Sequence, residues 1–190
     1  MSPEVVYYVA TSLDRFIATP DGGVDWLTPY HGGEDRGFAD FYRSIDALLM
    51  GSHTYEVALQ LGPWRSPDKP SWVFTSRDLP VAHQSISLTA EEPARMLRTL
   101  GQQGIQRAWL MGGGRLAGSF RAAGLISHYV IAVVPVVLGG GIPLFADAPR
   151  HDSLKLTGVT SFPSGIVQLS YESLPSTEVT APARRSTSPS

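Results

Sequence analysis

Two glycine-punctuated junctions hold the residues of this chain best suited to chemistry. In Trp109-Leu110-Met111-Gly112-Gly113-Gly114-Arg115-Leu116 a short apolar strand pattern runs into three glycines and then into a helical pattern. Glycines remove the Cβ atoms that keep an anion away from the backbone, and the helix that follows aims free N–H groups and its positive dipole end at that anion. The second junction has the same character. Ile45 to Met50 ends in Gly51-Ser52-His53-Thr54, ahead of a helical run from Tyr55 to Leu61. The hydroxyls of Ser52 and Thr54 and the His53 ring add donors, as a diphosphate-bridged dinucleotide requires. Neither junction reads G-x-G-x-x-G or G-x-x-x-x-G-K-[ST], so the Rossmann fingerprint and the P-loop are both missing. Residue types alone leave two readings open, a phosphate site and a tight structural turn.

The elements that must position these turns follow from periodicity. Val5 to Ala10 is a continuous apolar run, which predicts a central strand covered on both faces. Thr11 to Gly33 is rich in Gly, Pro, Asp and Thr and predicts a long functional loop. Glu34 to Ser44 carries Phe38, Phe41 and Tyr42 at helical spacing. Strand and helix patterns then alternate: a strand to Met50, a helix to Leu61, strands at Ser71 to Thr75 and near Ile86, and a helix from Pro93 to Gln103. A strand at Ala108 to Met111, a helix from Arg115 to Ala123 and a strand at His128 to Val134 continue the series. Alternation at these lengths predicts an α/β domain with a mostly parallel central sheet and helices on both faces. Ligands of such sheets bind beyond the strands' carboxyl ends, and Gly51, Thr75 and Gly112 each follow a strand, so the turns are expected to converge. Leu154 to Ser161 and Ile166 to Glu172, joined by Phe162-Pro163-Ser164-Gly165, predict a C-terminal antiparallel hairpin. Residues 1–174 form the expected domain. The Ser, Thr, Pro, Ala and Arg of 175–190 predict a disordered tail.

Composition closes off other chemistries. At 190 residues and 43% hydrophobic content the chain suits one domain with a sizeable core. A net charge of -2 without a Lys/Arg run argues against nucleic acid as the main partner. The chain has 0 cysteines, which excludes disulfides, thiolate catalysis and Cys-ligated zinc. No apolar run approaches a membrane span and no signal peptide is evident, so a cytoplasmic protein is expected. The histidines form no H-E-x-x-H pair, and no metal site is expected. His31, His83 and His151 read as solvated and His128 as a cap at a sheet edge; His53 stands apart because of its turn.

Strand-Met-Gly-Ser-His-Thr-Tyr-Glu followed downstream by strand-Met-Gly-Gly-Gly-Arg resembles the dihydrofolate reductase superfamily. Ala10-Thr11-Ser12-Leu13-Asp14-Arg15-Phe16-Ile17-Ala18, Asp25-Trp26-Leu27 and Val134-Pro135-Val136-Val137-Leu138-Gly139-Gly140-Gly141-Ile142-Pro143-Leu144-Phe145 favour the branch holding the reductase domain of bifunctional riboflavin-biosynthesis deaminase-reductases. The likeness covers roughly Val5 to Tyr171. It implies a dihydrofolate-reductase-like fold that binds NADPH and reduces a small pterin-like, aminopyrimidine or ribosyl-imine substrate. It assigns the cofactor to Gly51, Ser52, His53, Thr54, Gly112, Gly113, Gly114, Arg115 and Leu116, and the adenosine 2′-phosphate to Thr75, Ser76 and Arg77. Folate-reducing members usually carry Arg where this chain has Ser52, which places more of the 2′-phosphate recognition on Arg77. Asp14 and Asp35 are the candidate catalytic carboxylates, with an Asx turn and a first-turn helix acid as their respective structural alternatives. Asp25 and Trp26 are expected at the substrate mouth. A homodimer is implied, through Val130 to Leu138 and the glycines beyond. The alternative function is a nucleotide-binding module that keeps the cofactor turns without catalysis.

Overall fold

The computed structural model describes residues 2–30, 37–146 and 150–175. In chain order its elements are β1 (Glu4–Ser12), β2 (Phe16–Ala18), a 3₁₀ helix (Asp25–Tyr30), α1 (Phe38–Ser44), β3 (Ala47–Gly51), α2 (Ser52–Gln60), β4 (Ser71–Phe74) and β5 (Ile86–Thr89). There follow α3 (Pro93–Gln102), β6 (Arg107–Gly112), α4 (Gly114–Ala122), β7 (His128–Val134), β8 (Ile142–Pro143), β9 (Leu154–Ser161) and β10 (Val167–Ser173). An eight-stranded sheet runs β5-β4-β3-β6-β1-β7-β10-β9. Its strands are parallel from β5 through β7. β10 is antiparallel to β7, and β9 to β10, as the hairpin pattern predicts.

Burial explains why β1 is apolar throughout. Val5, Val6 and Tyr7 have no exposed surface because β6 and β7 flank them and side chains cover both faces. Successive strand residues point to opposite faces. Val5, Tyr7 and Leu110 therefore join Met96, Leu97 and Leu100 of α3 and Phe120 of α4 in one core. Leu48 and Met50 join Tyr55 of α2, Val73 and Ile86 in the core on the other face, where Phe41 and Tyr42 of α1 also pack.

Two expectations need revision. The stretch after β1 is not all loop: Phe16 to Ala18 forms β2, pairing with the two-residue β8 far along the chain. His128 does not cap a sheet edge, because β7 lies inside the sheet and His128 is paired with Val6 on one side and Glu172 on the other. Ile131, Ala132 and Val134 of β7 are buried, whereas Val137 just beyond the strand is exposed, as are Leu154, Leu156 and Val159 on β9. Glu34, Asp35 and the tail from 176 to 190 lie outside the described residues. No helix among the described residues is long and apolar enough to cross a membrane.

Candidate functional site

β3 and β6 are neighbours in the sheet, and each gives way directly to a helix. Gly51 is the N-cap of α2 and Gly113 the N-cap of α4, and neither helix start has a side-chain capping hydrogen bond. The first-turn N–H groups of both helices are thus left for another acceptor. The two starts meet: a Cβ on Gly51 would lie 3.8 Å from the Gly113 nitrogen. Around them opens a cleft of about 810 Å³, lined by Gly51, Ser52, His53 and Thr54 from one turn and by Gly113, Gly114, Arg115 and Leu116 from the other. Phe74 at the end of β4 and the segment from Gly141 to Pro143 complete its walls.

The three glycines that looked alike in sequence do different things. Gly112, with φ 116, takes a conformation that side chains resist, and its peptide bond to Gly113 is cis. Gly114 is needed for packing, because a Cβ there would sit 2.3 Å from the Pro143 carbonyl oxygen. Gly113 has φ -74 and meets only the Thr54 hydroxyl oxygen, 3.5 Å from where its Cβ would be. Of the three, Gly113 is the glycine whose missing side chain leaves open space in the cleft.

Thr75, Ser76 and Arg77 follow β4 at the same end of the sheet but do not line this cleft. The Arg77 N–H donates to the Thr75 hydroxyl at 2.9 Å, which sets the turn, and the guanidinium donates to the Glu56 carboxylate on α2 at 2.7 Å. That pairing holds the Glu56 carboxyl below its usual range and raises Arg77. Glu56 and His53 line a second hollow of about 510 Å³ with Asp21, Gly22 and Asp25. His53 belongs to both hollows, and the Gly22 backbone lies against its ring, with a built Cβ only 2.0 Å from Nε2. The loop after β2 thus rests on the start of α2.

The Asp14 carboxylate accepts N–H bonds from Leu138 at 3.1 Å and Gly139 at 2.7 Å. The Ser12 hydroxyl first, and then these amides, hold its pKa at about 2. Such a group is ionised at neutral pH and anchors the segment leading to Gly141. Asp25 begins the 3₁₀ helix and is exposed. Trp26 packs against a cluster of Ala132, Val134 and Ile166, with its indole N–H buried and without a hydrogen-bond partner. Its neighbours Leu27 and Tyr30 help line an apolar cleft of about 400 Å³ with Tyr8, Ala10, Phe38, Trp109, Ala132 and Val134. Sequence reasoning missed Tyr8, Phe38 and Trp109, which read as core. The signal that could have found them is that aromatic rings interrupt otherwise aliphatic strand runs at Tyr8 and Trp109. The Trp109 indole N–H donates to the Tyr8 carbonyl at 2.9 Å and the Tyr8 hydroxyl to Gln168 at 3.0 Å, fixing both rings. Asp35 lies outside the described residues. Among the described residues no group of three or more His, Asp or Glu side chains could hold a metal ion.

A parallel sheet with an antiparallel end, helices on both faces and glycine turns meeting at the strands' carboxyl ends defines a dihydrofolate-reductase-like fold. Within that class the chain belongs to the RibD C-terminal domain family, whose model matches residues 3–168. It is 36% identical over 172 residues to the uncharacterized protein YwjB of Bacillus subtilis, covering 90% of this chain and 98% of that one. It is 28% identical over 162 residues to the riboflavin biosynthesis protein RibD of Mycobacterium tuberculosis, of which it spans 46%. Among solved structures, a Shewanella sp. PV-4 protein described as a candidate riboflavin biosynthesis protein superposes with a TM-score of 0.80 at 26% identity, covering 92% of this chain and 100% of that one. A Thermotoga maritima diaminohydroxyphosphoribosylaminopyrimidine deaminase/5-amino-6-(5-phosphoribosylamino)uracil reductase gives 0.68 at 16% identity, covering 91% and 57%, and shares the fold.

Proposed function

We propose that the chain is an NADPH-dependent reductase of a small pterin-like, aminopyrimidine or ribosyl-imine substrate. The observation that carries this reading is the pair of uncapped helix starts meeting at one cleft, where a side chain at Gly113 would fill the space. Two adjacent helix N-termini suit the two phosphates of a dinucleotide, and the residues present fit that group. Ser52, His53, Thr54 and the first-turn amides of α2 would hold one phosphate; Arg115, Leu116 and the amides of α4 would hold the other. Thr75, Ser76 and Arg77 would hold the adenosine end. When bound, NADPH supplies the hydride for reducing a C=N or C=O bond.

The apolar cleft under Trp109 and Tyr8 excludes water and orients a flat ring. Asp25 and Trp26, in the same 3₁₀ helix as Leu27 and Tyr30, are the substrate-side residues of this reading. A reduced nitrogen or oxygen also needs a proton, and we assign that supply to Asp35 rather than Asp14. The low pKa of Asp14 and its two backbone N–H partners suit it to holding the 138–141 segment in place. A second copy of the chain completes the proposed assembly.

Calorimetric titration with NADPH, followed by loss of NADPH absorbance with pteridines and aminopyrimidines, tests the reading. Tight NADPH binding with substrate-dependent oxidation supports it. Binding without oxidation across a broad substrate panel would leave a nucleotide-binding module, and no dinucleotide binding would overturn the proposal.

A further inference from the structure

Arg77 is the cation that faces a 2′-phosphate in this reading, yet the guanidinium already has a carboxylate against it. Arg77 Nη2 lies 2.7 Å from Glu56 Oε2, with side-chain exposures of 53% and 37%. Position and chemistry make the pair more than a surface contact. Thr75 fixes the turn that presents Arg77, and its hydroxyl is engaged by the Arg77 N–H. Ser52, one turn before Glu56 on α2, carries no charge to offset the carboxylate. His53, beside it on the same helix, adds a cationic influence only when protonated, and Glu56 feels that charge weakly compared with Arg77. A dianionic phosphate arriving at Arg77 must displace Glu56 or share the guanidinium with it, and meets like-charge repulsion either way. A ribose 2′-hydroxyl meets no such penalty, because it can donate a hydrogen bond to the carboxylate.

We propose that Glu56 is the residue that sets cofactor discrimination in this chain, by competing with the 2′-phosphate for Arg77 and so reducing the advantage of NADPH over NADH. The proposal rests on the cofactor reading of the cleft given above. It places a specificity determinant on the second turn of α2, outside both glycine turns.

Titration of NADPH and NADH into the parent, Glu56→Gln, Arg77→Ala and the double variant tests it. An exposed ion pair of this kind has a small energetic worth, so Glu56→Gln is expected to tighten NADPH about two- to fivefold at low salt. NADH is expected to be unchanged, and the gain is expected to shrink as salt is raised. On the Arg77→Ala background the same substitution is expected to have little effect. NADPH affinity unchanged by Glu56→Gln overturns the proposal, as does equal tightening of both cofactors. An undiminished gain in the double variant would overturn the competition for Arg77. If the parent binds either dinucleotide while these outcomes fail, the cofactor reading survives and Glu56 alone is wrong. If no variant binds either one, both fall together.

Discussion

Arginine and carboxylate meet at both ends of the parallel strands, and the two meetings are built differently. At the amino ends, the Asp152 carboxylate bridges Arg121 at 2.8 Å and Arg150 at 2.5 Å, with side-chain exposures of 16%, 19% and 32%. The guanidiniums are occupied further: Arg121 donates to the Arg150 carbonyl and lies over the Phe145 ring, and Arg150 donates to the carbonyl of Ala122 at the end of α4. This cluster ties the last turn of α4 to the chain entering β9. At the carboxyl ends, Arg77 and Glu56 form one contact and leave 53% and 37% of their side chains in water. The difference separates charge that holds the fold from charge that, in the proposed function, is open to a ligand. A half-buried carboxylate shared by two cations is costly to remove, whereas an exposed pair can be exchanged for a better anion.

The strongest way to break this division is at the carboxyl end. Gly113→Val is expected to abolish NADPH binding while shifting the melting temperature little. Its Cβ meets only the Thr54 hydroxyl and otherwise enters open cleft. Gly114→Val is the contrast, because its Cβ would strike the Pro143 carbonyl and is expected to destabilise the fold itself. Calorimetry and thermal melts on both variants decide the matter. A folded Gly113→Val protein that binds NADPH like the parent would make the turn purely structural.

Asp152→Ala tests the amino end. Removing the partner of a fully buried pair costs about 3–5 kcal/mol, and partial exposure lowers that here to about 2 kcal/mol. For a chain of this size that corresponds to a fall of about 4–8 °C in melting temperature. Cofactor affinity measured well below the transition is expected to be unchanged. A melting temperature equal to the parent's would remove the contrast between the two clusters.

Arg77→Ala reverses the pattern, with stability within about 0.5 kcal/mol of the parent. NADPH affinity is expected to weaken by about 1.5 kcal/mol, roughly tenfold, the low end for a charged hydrogen bond because Glu56 already competes. NADH should weaken much less. Equal weakening of both cofactors would move Arg77 away from the 2′-phosphate.

Much of this arrangement is legible in the order of the residues, and the limit lies where contacts join distant segments. Alternating strand and helix patterns suffice for the sheet, and Gly51 and Gly112 can be expected to converge because both follow strands of one sheet. The hairpin is legible from its paired strand runs around Pro163 and Gly165. The separate tasks of Gly112, Gly113 and Gly114 are not, because the Pro143 carbonyl that makes Gly114 necessary comes from a segment about thirty residues away. Glu56 is invisible as the partner of Arg77 for the same reason: one lies on a helix and the other follows a different strand. β2 and β8 are three and two residues long, too short for any period to show. The aromatic cleft escapes notice because Tyr8 and Trp109 look like core until Leu27, Tyr30 and Phe38 are seen to border a cavity rather than fill it.

Asp14 offers the finest test, because it is a carboxylate at the carboxyl end of the parallel strands whose hydrogen-bond partners are within the protein. Its pKa is held at about 2 against an ordinary value of 3.8. A depressed value means that the folded state prefers the ionised form, so the stabilisation is fully present above the unfolded pKa and is lost as pH falls through the folded one. The loss therefore belongs to the interval from about pH 4 down to about pH 2. Asn cannot ionise, and its amide offers one acceptor oxygen where the carboxylate offers two to Leu138 and Gly139. Asp14→Asn is expected to lower the melting temperature slightly at neutral pH, with the two proteins converging as the parent's carboxylate is protonated. Amide exchange at Leu138 and Gly139 is expected to quicken in the variant. Because the held segment leads to Gly141 in the proposed cofactor cleft, NADPH affinity should fall modestly while the ratio of NADPH to NADH binding stays fixed. Melting curves that stay parallel across that pH interval would mean that the anchor contributes nothing. A large loss of turnover with no change in amide exchange would restore Asp14 as a catalytic group.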